Sequence, residues 1–246
     1  MQFITVNGIP MVKHGDDLGK LILEAVDKQR LRIENGDLFV VAQTVVSKAE
    51  GNVMDLGAVH PSKRSKELAV KLGKDPRLVE VILQQSKEIV RIAHVIISRT
   101  KHGLVCANAG VDYSNVDLEL VTILPENPEA SAGRIRNTVK HKLGVDVAVI
   151  ISDTQGRPFR HGCVGVAIGI SGINPLLDLR GKQDLYGNKL EVTITSPSDS
   201  LAAAAVSMMG EADEGTPVVL VKGANYESGE GTIREIVRPP ELDLFR

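Results

Sequence analysis

The chain carries 246 residues, 43% of them apolar and 24% charged, the composition of a soluble globular protein long enough for a sizeable core. A formal net charge of -2 gives no electrostatic reason to expect a nucleic-acid or membrane partner. Aromatic residues make up only 3% and tryptophan is absent, which argues against a base-stacking surface for single strands.

Phe3 to Val6 suits a first strand, closed by the Asn7-Gly8 turn signal. Asp16 or Asp17 caps a helix that carries Leu18, Leu21, Ile22, Ala25 and Val26 on one face. After Asn35-Gly36, Leu38 to Val46 reads as an apolar strand interrupted by Gln43 and Thr44. Ser62 to Leu72 predicts a basic helix whose Lys63, Arg64, Lys66 and Lys71 face solvent. Asp75-Pro76 is an N-cap followed by proline at the first helical position, leading a helix to Gln85. Ile89 to Ser98, with His94 as a core residue, and Gly103 to Ala107 read as strands joined by a polar turn. Pro125 and Pro128 make Thr122 to Glu129 the best candidate for a linker. Ile135, Val139 and Leu143 recur at helical spacing, and Asp146 to Ser152 is a buried-type strand. Asp153 to Asn188 shows little regular period; an Ala-rich helix (Ser200 to Met209) and a late strand (Pro217 to Val221) follow it.

Imperfect alternation of strands and helices favours an α+β fold, with mixed and largely antiparallel sheets and packed helices, over a doubly wound sheet. The expected unit is single, residues 1–246, with the stretch 122–131 a candidate boundary between two interlocked subdomains. Cys106 and Cys163, distant and outside any CxxC, make neither a disulfide framework nor a thiolate zinc site. They suit a reducing compartment and read as small core residues. The N-terminus shows no cationic leader, and no apolar run reaches bilayer length, so a soluble cytoplasmic protein is expected.

Neither GxxxxGK[ST] nor GxGxxG is present, so any nucleotide site must be built another way. HExxH and G-x-S-x-G are also missing, which removes zinc-protease and serine-hydrolase readings. What the chain offers is acids at the ends of elements. Asp153, with Thr154, ends the strand Ala148 to Ser152; Asp112 follows Asn108-Ala109-Gly110-Val111; Glu211 follows Gly210 at a helix end. Carboxylate and hydroxyl oxygens are hard ligands suited to Mg²⁺ or Mn²⁺, as a phosphoryl-transfer site requires. Each has a plain alternative, and taken one at a time that alternative is the stronger: a strand-end cap for Asp153, an Asx turn for Asp112, a solvated residue beyond a glycine helix cap for Glu211. Lys48, Arg157 and Arg160 are the cationic candidates for phosphate or a substrate carboxylate, or else members of mixed-charge loops.

Together the segments resemble the coenzyme F-420-0:gamma-glutamyl ligase family. The matching stretches are Gly8 to Leu18, Thr44 to Gly51, Asn108 to Asn115, Ile151 to Arg157 with Phe159-Arg160, Gly165 to Gly172, Asp184 to Gly187 and Met209-Gly210-Glu211. They run in order across nearly the whole chain. The resemblance implies a GTP-dependent homodimeric ligase that uses two divalent cations, Mn²⁺ or Mg²⁺, and K⁺. It activates the precursor's carboxylate as an acyl phosphate, joins L-glutamate to it, and adds a second glutamate by γ-linkage. It further implies that Asp112 and Asp153 hold one metal, and Thr154 and Glu211 the other. Asp112, Asp153 and Arg157 would be catalytic. The nucleotide would contact Ile9, Pro10, Met11, Val12, Gln43, Thr44, Lys48, Asn115 and the loop Met209, Gly210, Glu211, Ala212, Asp213, Glu214, Gly215 and Thr216. From the residues alone, a metal- and nucleotide-dependent kinase, a ligase for another carboxylate and a non-catalytic nucleotide-binding module stay open.

Overall fold

The computed structural model describes residues Met1–Asp243. In chain order it contains β1 (Gln2–Thr5), α1 (Leu18–Lys28), β2 (Leu38–Ala42), α2 (Gln43–Ala49) and β3 (Val53–Asp55). Next come α3 (Lys63–Leu72), α4 (Pro76–Gln85), β4 (Ser86–Ile92), β5 (Ile96–Thr100), β6 (Val105–Ala107) and β7 (Leu120–Thr122). The remainder holds α5 (Pro128–Leu143), β8 (Ala148–Arg157), β9 (Arg160–Ser171), β10 (Leu177–Asp178), β11 (Ile194–Thr195), α6 (Pro197–Met209) and β12 (Val218–Lys222).

The central sheet has the order β1-β12-β2-β8-β9, with smaller sheets β4-β5-β6, β3-β7 and β10-β11. Only β2 and β8 run parallel within it. The expected α+β class, with mixed and largely antiparallel sheets, is what forms.

Helices cover both faces of this sheet, which explains why β2, β12 and the start of β8 are continuous apolar runs rather than alternating ones. On one face Phe39, Val41, Val149 and Ile151 pack against Ile22 of α1 and Ile135 and Val139 of α5. On the other, Val40, Ile150 and Val219 pack against Leu201, Ala202 and Ala205 of α6. A third core, separate from these two, joins α3 and α4 to Ile96 and Val121. Caps set the helix starts: Asp17 accepts from Lys20 N at 3.0 Å, and Asp75 and Asn127 each cap a helix whose first residue is proline. Glycine lets the helices sit close to the sheet. A Cβ at Gly169 would lie 2.5 Å from Pro128, and one at Gly165 would lie 2.5 Å from the Ala202 carbonyl.

Four expectations need correction. Leu38 to Val46 is not one strand: β2 ends at Ala42 and Gln43 begins α2. Ile89 to Ser98 is two strands of a hairpin, and His94 lies exposed in the turn rather than in a core. Asp153 to Asn188 is not irregular throughout, because β8 continues to Arg157 and pairs with β9 as a long hairpin. Of the two thiols, Cys106 is buried but Cys163 is exposed. In the two hairpins it is strand pairing, which local periodicity does not show, that decides the outcome.

Candidate functional site

Most of the predicted residues meet at the carboxyl ends of the parallel pair β2 and β8. Ala42 is in register with Ser152, so Gln43 and Asp153 leave the pair at the same level. Immediately before Asp153 the β8–β9 register slips: Ile151 faces Gly169 but Ser152 faces Ala167, leaving Ile168 as the extra residue. Such bulges re-aim the side chains beyond them. Asp153 faces Val166, which packs on the α1–α5 side, whereas Thr154 faces Gly165 under α6. Thr154 Oγ1 donates to Glu211 Oε1 at 2.9 Å, so the acid after α6 comes to the strand.

Asp153 is largely shielded from solvent and accepts from Gln155 Nε2 at 2.9 Å. Burial pushes its carboxyl up to about 6, against the hydrogen bonds of Gln155 and Thr154 and with the help of the negative charges on Asp112 and Glu211. Asp153 therefore feels the charge of two acids from distant segments. Among the described residues no three His, Cys, Asp or Glu side chains gather around one point. The acids are arranged as neighbours rather than as a single cage. Asp153 also faces Cys106, whose thiol is raised to about 12 chiefly by its own burial.

Asp112 is held by an antiparallel bridge to Thr122, with Asp112 N to Thr122 O at 3.0 Å and the reciprocal bond at 2.7 Å. Its carboxylate accepts from Ser114 N and Ser114 Oγ. The same loop carries Asn115, a non-glycine residue at φ 56, whose carbonyl accepts from Lys48 Nζ. Lys48 sits in the last turn of α2, one helix beyond the end of β2. Burial lowers its pKa and the charge of Asp117 raises it. Gln43 accepts from Ser47 Oγ at 2.9 Å, and that hydroxyl also reaches Ile123 O at 2.7 Å, tying α2 to the exit of β7.

Two further predicted segments adjoin this point. The stretch from Ile9 to Val12 leads to Gly15, whose N–H donates to Ala49 O of α2 at 2.9 Å; Val12 is buried and Met11 exposed. The loop from Met209 to Thr216 returns through Pro217, whose carbonyl accepts from Ala42 N at 2.9 Å. Gly210 caps α6 at φ 77, and Thr216 Oγ1 closes the loop onto Met209 O at 2.8 Å. Ala212 N donates to Glu214 Oε2 within it, and Asp213 and Gly215 are exposed.

Arg157 is the exception. It lies four residues beyond Asp153 on β8, roughly 13 Å of strand rise away. Its Nη2 donates to His161 O at 3.3 Å, and its Nε is buried without a hydrogen-bond partner. Arg160 stands across the hairpin end from it, exposed. The fold of one chain does not bring Arg157 to the acids. The sequence reading also missed the supporting donors Gln155, Ser114 and Ser47. All three lie inside the matching motifs, which was the signal available.

The sequence profile of the F420-0:Gamma-glutamyl ligase family matches residues 8–223. The chain belongs to that family. It is an amino-acid ligase, and whole-length relatives agree. A coenzyme F420:L-glutamate ligase of Methanothermobacter thermautotrophicus is 48% identical over 249 residues, 100% of this chain and 99% of the relative. Those of Methanopyrus kandleri and Methanocaldococcus jannaschii are 50% and 48% identical over 240 and 239 residues, spanning 96% and 97% of this ligase and 93% and 94% of the relatives. No helix among the ligase's described residues is long and apolar enough to cross a membrane.

Proposed function

We propose that this ligase joins L-glutamate to the carboxylate of the coenzyme F420 precursor, driven by GTP, as a cytoplasmic homodimer. The carboxylate oxygen attacks the γ-phosphorus, GDP leaves, and an acyl phosphate results. The amine of L-glutamate then attacks the acyl carbon, phosphate departs with the C–O bonding pair, and an amide forms. A second glutamate adds through the γ-carboxylate of the first. A carboxylate alone is a poor acceptor because its oxygen leaves badly, so activation precedes ligation.

The observation that supports this most is the convergence of Asp112, Asp153 and Glu211, with Thr154 bonded to Glu211. Surplus negative charge on hard oxygen donors fits Mg²⁺ or Mn²⁺, with Asp112 and Asp153 holding one ion and Thr154 and Glu211 the other. When bound, divalent ions, assisted by K⁺, screen the charge of the phosphates. Lys48 supplies a positive charge toward the nucleotide, held beside Asn115. Gln43, Thr44, residues 9–12 and the 209–216 loop would complete the nucleotide's surroundings. Phe159 at the hairpin end and Leu185, Tyr186 and Val192 are exposed, which favours a second copy covering them and carrying the partner's hairpin arginines toward a site.

Mass analysis after incubation with precursor, L-glutamate, GTP and Mn²⁺ tests this. Addition of one and then two glutamyl units is expected, with a hydroxamate when hydroxylamine replaces glutamate. A stable phosphorylated product would make it a kinase. Binding without phosphate release would make it a nucleotide-binding module.

A further inference from the structure

A cavity of about 520 Å³, lined by no predicted residue, lies along the strands that lead to the acids. Its position is fixed by the same strands. Ile123, directly after the Thr122 that bridges Asp112, forms one wall, and the bulged Ile168 forms another, two residues along β9 from the partner of Asp153. That is roughly 7 Å of strand rise. The volume falls in the range of small-molecule pockets.

Four charged side chains line it: Lys101 after β5, Glu126 between β7 and α5, Glu129 in the first turn of α5, and Arg234 in the 3₁₀ turn Ile233–Glu235. His102 Nε2 lies 3.1 Å from Glu126 O and ties the first two segments together. Glu129 Oε1 accepts from Ile233 N at 2.7 Å and so fixes the turn that carries Arg234. Among the described residues, Lys101, Glu126 and Arg234 form no ion pair with one another or with any other residue. Glu129 is already engaged by the Ile233 N–H, so the side chains left for a ligand are two cations and one anion, a set that complements two carboxylates and one ammonium. No Phe, Tyr or Trp lines the cavity, so it offers no plate on which a fused-ring precursor could stack.

We infer that this cavity binds the amino-acid substrate, with Lys101 and Arg234 holding its carboxylates and Glu126 its ammonium. The inference deepens the ligase reading above and rests on it. Ile123 and Ile168, near in the chain to the residues that pair with Asp112 and Asp153, would turn a bound amine toward a carboxyl activated there.

The test uses the full chain and Lys101→Ala, Arg234→Ala, their double variant and Lys101→Arg. Both positions are exposed, so folding is spared. In steady-state assays each alanine variant should raise the KM for L-glutamate about 10-fold, the loss of one charged hydrogen bond. The KM for GTP should stay within twofold, and Lys101→Arg should recover most of the loss. Calorimetric titration of L-glutamate into the protein should show the same order of affinities without turnover. Active wild type with an unchanged glutamate KM in the double variant overturns the inference and leaves the ligase reading standing. A rise confined to the precursor's KM also overturns it, in favour of a precursor pocket. Wild type that makes no amide sinks the ligase reading, and the calorimetric order then decides the pocket by itself.

Discussion

Replacing Asp153 by asparagine should make the metal-free protein more stable at neutral pH while abolishing its activity. Asp153 pays for its position with a carboxyl raised from 3.8 to about 6 by burial and by the charges of Asp112 and Glu211. A folded-state value above the unfolded one means that the folded protein holds the proton more tightly. The corresponding stability is fully present below pH 3.8, is lost as pH rises through about 6, and stays lost above. Roughly two units correspond to about 3 kcal/mol. Asparagine keeps the shape, removes the charge, and gives up one acceptor oxygen facing Gln155 and Thr154, a cost of about 1 kcal/mol. The net gain is about 2 kcal/mol, or roughly 4–8 °C in melting temperature for a chain of this size. Thermal melts of wild type and Asp153→Asn with EDTA, at pH 8 and at pH 4, read it directly. The variant should melt higher at pH 8, and the gap should close at pH 4. Mn²⁺ should raise the wild type's melting temperature more than the variant's, which keeps only the Thr154–Glu211 pair. A variant no more stable than wild type at pH 8 would refute the argument that these acids strain one another.

Other outcomes follow from the same geometry. Lys48→Ala removes a half-buried ammonium that the proposed function puts at the nucleotide, and should weaken GTP binding about 10–100-fold by calorimetry; unchanged affinity would take Lys48 out of the site. Thr154→Val breaks the 2.9 Å bond to Glu211 and should cut Mn²⁺-dependent turnover about 10-fold or more while leaving the GTP affinity near normal. A turnover equal to wild type at limiting Mn²⁺ would argue against that ligand pair. Gly169→Ala puts a Cβ 2.5 Å from Pro128 and should cost about 1–3 kcal/mol in urea unfolding, because the backbone of α5 cannot swing aside as a flexible side chain could. A neutral result would mean that the α5–β9 contact is looser than described. Gly210→Ala meets the Glu214 carboxyl at 2.0 Å and a φ of 77, so it should disturb the 209–216 loop and raise the KM for GTP with little loss of global stability.

Much of this protein was written locally. Aspartate before proline or an amphipathic run marks the starts of α1 and α4, since a cap needs only its own first turn to form, whereas Pro128 and Glu129, read as linker, are the first turn of α5. Continuous apolar runs marked β2, β8 and β12 because strands covered on both faces have no polar side to show. The segments later found around the site were legible as short motifs in order. Other features depend on partners far along the chain. Thr44, Val45 and Val46 carry the β-branched bias of a strand, yet they form α2, where Ser47 bonds Ile123 and Val46 is fully buried. Asp153 reads as a strand end until β9 pairs with the residues beyond it and a bulge turns it. Whether Asp112, Asp153 and Glu211 meet is a question of how loops close between separate elements, and neither residue type nor spacing encodes that closure. Local chemistry determined which side chains were available. The tertiary structure alone decided which of them share a charge field, because electrostatic coupling depends on distance through space and not along the chain.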